Sequence, residues 1–285
     1  MLTDILIAGC GDLGSTLGQS LATAGYRIAG LRRTAAPLSN GIRTLSGDVT
    51  QADTLNHLAK LRPSILVYSV SADTQSDDSY RAHYVDGLRN MLTALKFADS
   101  LRHVFFVSST RVYGQSTEEL VNERMPAIPA DFGGQRLLEA ESLLATAACP
   151  GTALRLSGIY GPGRTRMLKL AANPTDWPAR NTWTNRIHRD DAAAFIALLI
   201  QRAMNHEPVE NCYLVTDSTP ASQYEVLRWL AEEMGTEGLP AIDPAVIGGK
   251  KLDNARMLDT GFALRYSSYR EGYAGELRAY LAGTI

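Results

Sequence analysis

Leu2-Thr3-Asp4-Ile5-Leu6-Ile7-Ala8-Gly9-Cys10-Gly11-Asp12-Leu13-Gly14 is the stretch whose reading decides the fold. The apolar run Leu2–Ala8 reads as a buried strand, and it leads straight into G-x-G-x-x-G. A helical pattern, Leu13–Ala24, opens inside the glycine segment and is closed by Gly25. Gly9 would permit the tight turn and Gly11 the close approach of a pyrophosphate, while Gly14 would let helix and strand pack closely. The helix N-terminus around Asp12 and Leu13 would add N–H donors and a partial positive charge. Glycines cap many strand–helix turns that bind nothing, so the flanking strand and helix carry the reading as a dinucleotide-binding turn.

Outward from this turn, strand-like runs alternate with helical patterns. Arg27–Leu31, Arg43–Val49, Ile65–Val70, Val104–Val107 and Ala153–Leu156 read as strands. Thr54–Leu61, Tyr80–Ala98 and Gly134–Ala148 read as helices, the second with Leu88, Met91, Leu92 and Leu95 on one face. Such alternation predicts an α/β fold, a Rossmann-type doubly wound parallel sheet covered by helices on both faces. Past residue 160 the pattern weakens. Residues 162–188 hold three prolines and two tryptophans and read as a loop or lid. A helix at Asp191–Ala203, a strand at Cys212–Val215 and a helix at Ser222–Met234 follow. The sheet is expected to take its last strand from this later part, so that two domains interleave. Residues 1–165 and 186–218 would form the dinucleotide-binding domain, and 166–185 with 219–285 a smaller C-terminal substrate-binding region.

The second strand selects the dinucleotide. A reader of the ribose 2′-OH is an acid about 20 residues beyond the glycines. Here Gly30-Leu31-Arg32-Arg33 stands in that place with no acid. A carboxylate repels a 2′-phosphate, whereas Arg32 and Arg33 can grip one through charge-assisted bonds. The expectation is NADP over NAD; the competing reading is a solvated basic turn. Asp48 and Val49, ending the third strand, sit where a carboxylate and a backbone amide can read an adenine edge, and an ordinary turn explains them equally well. Val70 and Ser71 after the fourth strand, with Ser157, complete the candidate cofactor contacts.

Composition excludes several classes. Charged residues are 20% of the 285 and apolar ones 45%, with a net charge of −2, so nothing global points to nucleic acid or an anionic membrane. Cys10, Cys149 and Cys212 are scattered without metal-ligand spacing, which fits free thiols in a reducing compartment. The N-terminus lacks a basic n-region, and the apolar stretch Ala192–Ile200 is too short to span a bilayer. A cytoplasmic protein is expected.

Several ordered segments resemble the extended short-chain dehydrogenase/reductases, the NAD-dependent epimerase/dehydratase group. Ser108-Ser109-Thr110-Arg111-Val112-Tyr113-Gly114 is similar to the family's active-site serine strand. Leu154-Arg155-Leu156-Ser157-Gly158-Ile159-Tyr160-Gly161-Pro162-Gly163 is similar to its LRxxxVYGPG segment, and Arg186-Ile187-His188-Arg189-Asp190-Asp191-Ala192 to its IHVDDVA start of a helix. Tyr213–Asp217 with Pro220-Ala221-Ser222, then Leu258–Phe262 and Tyr269–Gly272, carry the likeness nearly end to end. The resemblance implies a catalytic Ser109 and a homodimer built on helices 80–98 and 134–148.

The chain departs from the family at its catalytic Tyr-x-x-x-Lys, which should follow the serine strand. The matching stretch places Phe132 at the tyrosine and Arg136 at the lysine, and no tyrosine lies between Tyr113 and Tyr160. Phenylalanine has no proton to exchange, and arginine stays protonated, so it can hold a ribose or an oxyanion but cannot act as a base. Ser109 alone is a poor acid–base catalyst. His188 and Asp131 are candidate replacements, but a structural hydrogen bond where the helix begins and a helix N-cap are their favoured readings.

On the substrate side, residues 162–188 carry Arg164, Arg166, Lys169, Arg180 and Arg186 against the single acid Asp176, with Trp177 and Trp183 among them. By resemblance this region contacts an anionic ligand, a nucleotide sugar among the candidates, through Arg164, Arg166 and Arg186; a solvated arginine-rich loop with buried tryptophans competes. Two functions remain open. One is an atypical NADP-dependent epimerase/dehydratase or reductase, and the other a non-catalytic NADP-binding sensor or regulatory protein.

Overall fold

The structure, a computed structural model, describes residues 3–34, 37–38, 41–96, 98–117 and 119–283. Its strands in chain order are β1 (Ile5–Ala8), β2 (Ile28–Arg32), β3 (Ile42–Ser46), β4 (Ile65–Tyr68), β5 (His103–Ser109), β6 (Leu120–Val121) and β7 (Gly151–Leu156). Then come β8 (Gly158–Tyr160), β9 (Asn181–Thr184), β10 (Arg186–His188), β11 (Cys212–Val215), β12 (Ala221–Ser222), β13 (Val246–Gly249) and β14 (Lys251–Leu252). The helices are α1 (Asp12–Thr23), α2 (Asp77–Tyr80), α3 (Gly87–Ala94), α4 (Phe132–Leu143), α5 (Arg166–Ala171), α6 (Arg189–Met204), α7 (Gln223–Glu233), α8 (Ala255–Leu258) and α9 (Tyr269–Leu281).

A seven-stranded sheet runs in the order β11-β7-β5-β4-β1-β2-β3. β1 lies centrally, paired in parallel with β2 through Ile5–Ile28 and with β4 through Ile5–Ile65. Its four residues are fully buried, as expected for a parallel strand covered on both faces. The doubly wound α/β fold is therefore as expected, and β11 does come from late in the chain to form one edge. The strand order reverses between β1 and β4, the place where open α/β sheets bind ligands.

The chain divides into two compact units. The first comprises the residues to Gly114, Pro126–Arg155 and Ala192–Tyr213; the second comprises Gln115–Met125, Leu156–Asp191 and the residues from Leu214 on. The second unit has its own core, in which Leu168, Trp177, Tyr224, Leu227, Tyr269 and Tyr273 are buried. Its small sheets pair β8 with β10, β9 with β12 and β13, and β6 with β14.

Several local expectations are corrected. Thr54–Leu61 is not one helix but two 3₁₀ turns, Ala52–Leu55 and Leu58–Leu61. Leu55, Leu58 and Leu61 are all buried, and their spacing of three matches the three-residue repeat of a 3₁₀ turn. The helix expected over Tyr80–Ala98 starts earlier, where the Ser76 hydroxyl caps α2 by accepting from Ser79 N–H, and α3 ends at Ala94. Between α2 and α3, Arg81–Asp86 forms a π turn, and the carbonyl of His83 within it accepts from the buried Tyr68 hydroxyl. Residues 162–188 are not a loop, because Leu168, Ala171 and Trp177 are buried and β9 pairs with distant strands. Leu2 and Phe97, parts of the expected first strand and of the helix over 80–98, lie outside the described residues.

Candidate active site

The glycine turn has the geometry its residue types demand. Gly9 has a φ of +85°, and a Cβ there would run into the Ser69–Val70 backbone, 2.6 Å from the Val70 nitrogen. A Cβ on Gly14 would come within 2.6 Å of the Gly9 carbonyl oxygen, so α1 can press against the turn only with glycine there. At Gly11 a Cβ would meet nothing within 4 Å. That open backbone face, at the start of α1, fits a pyrophosphate. Leu13 is buried beneath the turn with Leu17 and Leu21, and Asp12 is exposed in the first turn of α1.

A pocket of about 470 Å³ opens at this turn, within the first unit. Gly9, Cys10 and Gly11 border it after β1, Arg32 and Arg33 at the end of β2, and Asp48 and Val49 after β3. Val70, Ser71, Asp73 and His83 close it after β4. The structure thus brings together most of the cofactor residues read from the sequence. One Asp48 carboxylate oxygen accepts from both the Thr50 N–H and the Thr50 hydroxyl, at 2.9 and 2.8 Å, so it organises its own turn as well. Arg33 donates to both oxygens of Asp73, at 2.5 and 2.7 Å. Sequence reasoning missed Asp73 and His83, because neither belongs to a motif and only the return of the chain from β3 to β4 puts them beside the arginines. Ser157 lies in the second unit, buried beside Val215, whose carbonyl accepts from its N–H at 3.1 Å.

The serine strand and α4 carry the candidate catalytic positions, also in the first unit. Ser109 ends β5, and its hydroxyl accepts from Arg111 N–H at 3.2 Å. Phe132 opens α4 with its ring edge-on to Tyr80, centroids 5.4 Å apart. The Arg111 guanidinium lies 5.0 Å from the Tyr80 ring centre and 5.3 Å from that of Phe132. It donates to the Tyr80 hydroxyl at 2.7 Å, to Gln75 at 2.9 Å and to Asp131 at 3.0 Å. Asp131 is also the N-cap of α4, accepting from Gly134 N–H at 2.9 Å, which matches its favoured reading. Arg136, on the same helix, donates to both oxygens of Asp77 at 2.7 and 2.8 Å and to Glu139 at 2.7 Å. Its fork is therefore engaged in joining α4 to α2. Arg111 escaped the sequence reading because an arginine two residues after the active-site serine has no fixed meaning without its neighbours.

Behind this surface Arg155 and Glu141 form an ion pair at 2.7 Å with both side chains nearly buried. Glu141 also accepts from the Ser108 hydroxyl at 2.6 Å, which ties β5 to α4.

In the second unit, Arg164 is half-buried and Arg166 is exposed at the start of α5. Arg186 is buried; it donates to the Thr184 hydroxyl at 2.7 Å and lies 5.6 Å from the Tyr269 ring centre. Trp177 is a core residue, edge-on to Tyr224, with its indole N–H given to the Leu170 carbonyl at 3.0 Å. For Trp177 this is the competing reading, a buried tryptophan. Trp183 carries the Lys251 ammonium 5.1 Å from its ring centre. His188 is buried, and its Nδ1 accepts from Asp190 N–H at 3.2 Å, the structural bond expected where α6 begins. Burial pushes the nearby Asp217 carboxyl up to about 7, opposed by Thr219 N–H and Arg186. No helix among the described residues is long and apolar enough to cross a membrane.

A glycine-rich turn at the switch point of a parallel sheet is the arrangement of a dinucleotide-binding α/β fold. The sequence model of the NAD dependent epimerase/dehydratase family matches residues 5–212, and the chain belongs to that family. A solved structure from Methylobacillus flagellatus, assigned to the NAD-dependent epimerases/dehydratases, is 52% identical; it covers 99% of this chain and 100% of its own, with a TM-score of 0.89. UDP-glucose 4-epimerase of Thermus thermophilus, solved with NAD, shares the fold at 18% identity and a TM-score of 0.79, over 99% of this chain and 100% of its own. Bordetella bronchiseptica WbmG, solved with NAD and UDP, does so at 21% identity and a TM-score of 0.80, over 98% and 94%. No curated protein matches the sequence.

Proposed function

We propose that the protein is an NADP-dependent enzyme of this family acting on an anionic small molecule, a nucleotide sugar being the class its fold relatives favour. The observation that carries the reading is the pair Arg32–Arg33 at the end of β2, bordering the pocket where an NAD-selective site has an acid. Guanidinium groups there favour a 2′-phosphate by charge-assisted hydrogen bonds, each contributing about 1.5–3 kcal/mol. Bound dinucleotide supplies hydride chemistry. The chain's own part is to hold the cofactor on Gly9, Gly11 and Gly14 and to polarise a substrate oxygen with the Ser109 hydroxyl. Arg164 and Arg166 in the second unit attract the anion. The test is titration with NADPH, NADH, NADP and NAD, in wild type and in Arg32→Asp with Arg33→Ser. NADPH is expected to bind more tightly than NADH in wild type, and the double variant to weaken NADPH far more. Equal losses for both cofactors would sink the NADP reading.

A second reading, a cofactor-binding sensor without turnover, is favoured by one specific observation. Arg136 is engaged by Asp77 and Glu139, and by the resemblance Phe132 takes the place of the family's proton-exchanging phenol.

A further inference from the structure

We propose that Asp73 is a built-in competitor for the cofactor's phosphate: it occupies Arg33 until a 2′-phosphate displaces it, and so sets how strongly the pocket prefers the phosphorylated dinucleotide. This rests on the NADP reading above. Arg33 follows β2 and Asp73 follows β4, forty residues apart in sequence, yet both border the same pocket. Their two parallel N–H···O bonds, at 2.5 and 2.7 Å, use the fork geometry that a guanidinium also presents to a phosphate. The carboxylate therefore already makes the bonds that a 2′-phosphate would make.

One feature makes the pair displaceable. Both side chains face water, 57% and 44% exposed, and an ion pair in that setting is weak. Asp73 also has His83 beside it. His83 Nδ1 lies 2.8 Å from the Ser79 carbonyl, which only accepts, so Nδ1 carries a proton. His83 Nε2 lies 3.3 Å from the same Asp73 carboxylate. A phosphate carries more charge and three acceptor oxygens, so it wins the guanidinium. Arg32 differs: among the described residues no carboxylate is paired with it. The pocket accordingly holds one guanidinium already neutralised and one that is not.

NADH has no 2′-phosphate and leaves the Arg33–Asp73 pair in place, so Asp73 penalises NADPH alone. In Asp73→Asn, and in Asp73→Ser as a second variant, NADPH affinity is expected to rise about threefold to tenfold, read by nicotinamide fluorescence at fixed ionic strength. Circular dichroism verifies that each variant folds. Unchanged or weaker NADPH binding in both variants overturns the inference. So does a higher NADPH/NADH ratio that comes only from lost NADH binding, which would make Asp73 a ribose ligand. The two readings fail separately. If wild type shows no NADPH preference yet Asp73→Asn tightens NADPH, the competitor stands and NADP selectivity falls. If Arg32→Asp with Arg33→Ser weakens NADPH while Asp73→Asn leaves it unchanged, the reverse holds.

Discussion

Arg136 grips both carboxylate oxygens of Asp77, at 2.7 and 2.8 Å, and so ties the helix of the candidate catalytic positions to the helix that precedes the π turn. Arg136, read from the resemblance as standing in place of the family's lysine, is thereby committed to holding two helices together. Lysine, with a compact ammonium on a flexible stem, cannot reproduce the bidentate grip.

Restoring the family residues tests whether the rest of the site is intact. Phe132→Tyr with Arg136→Lys should raise NADPH-dependent turnover at least about tenfold on a panel of anionic carbonyl compounds and nucleotide sugars, since a positioned acid–base group contributes roughly 10²–10⁴-fold. A slightly lower melting temperature is the expected cost of the weakened Asp77 clamp. Unchanged turnover throughout the panel would favour the sensor reading.

The glycine turn separates folding from binding. Gly9→Ala forces a side chain into φ +85° and into the Ser69–Val70 backbone, and should destabilise by at least about 1–3 kcal/mol in denaturant unfolding. Gly11→Ala meets nothing within 4 Å, so stability should stay within about 0.5 kcal/mol while NADPH affinity falls about tenfold or more. A Gly11→Ala protein that binds normally would mean the turn is only structural.

The ion pair behind the serine strand should dominate local stability. Glu141→Ala leaves the Arg155 charge buried and the Ser108 hydroxyl without its acceptor, at a cost of about 3–5 kcal/mol. Replacing both partners, Glu141→Leu with Arg155→Met, should recover much of the loss. A double variant no more stable than the single one would show that burial of the lone charge is not the cause.

Asp217 predicts an acid-side effect of unusual sign. Its carboxyl is raised by burial to about 7 in the folded protein, against ~3.9 unfolded, so between those values the folded state binds more protons. Its contribution to stability therefore falls as pH rises from about 4 to about 7 and is level above that. Compared with Asp217→Asn, wild type should lose on the order of 2–4 kcal/mol across that window, measured as unfolding free energy against pH. Parallel profiles for the two proteins would refute the shift.

The sequence by itself determined the elements that local chemistry dictates. Each strand around the glycine turn is an apolar run, the three glycines stand where a Cβ would clash or bar a ligand, and the stripe Leu13-Leu17-Leu21 repeats every four residues. These features depend on near neighbours, so periodicity and residue type sufficed for the doubly wound sheet and its nucleotide pocket. The Arg32–Arg33 pair, and Phe132 and Arg136 as residues of one helix, were legible for the same reason.

Tertiary structure alone decided what residues distant in sequence do to one another. It gave Arg33 to Asp73, Arg136 to Asp77, and Arg111 to Tyr80 and Asp131, and no spacing rule encodes those partners. It also turned residues 162–188 from an expected loop into α5, β9 and β10, because β9 is completed by β12 and β13, which arrive from much later in the chain. A charged side chain's role is fixed by the charge it meets. In a parallel α/β fold that partner comes from the neighbouring crossover, which local sequence does not contain.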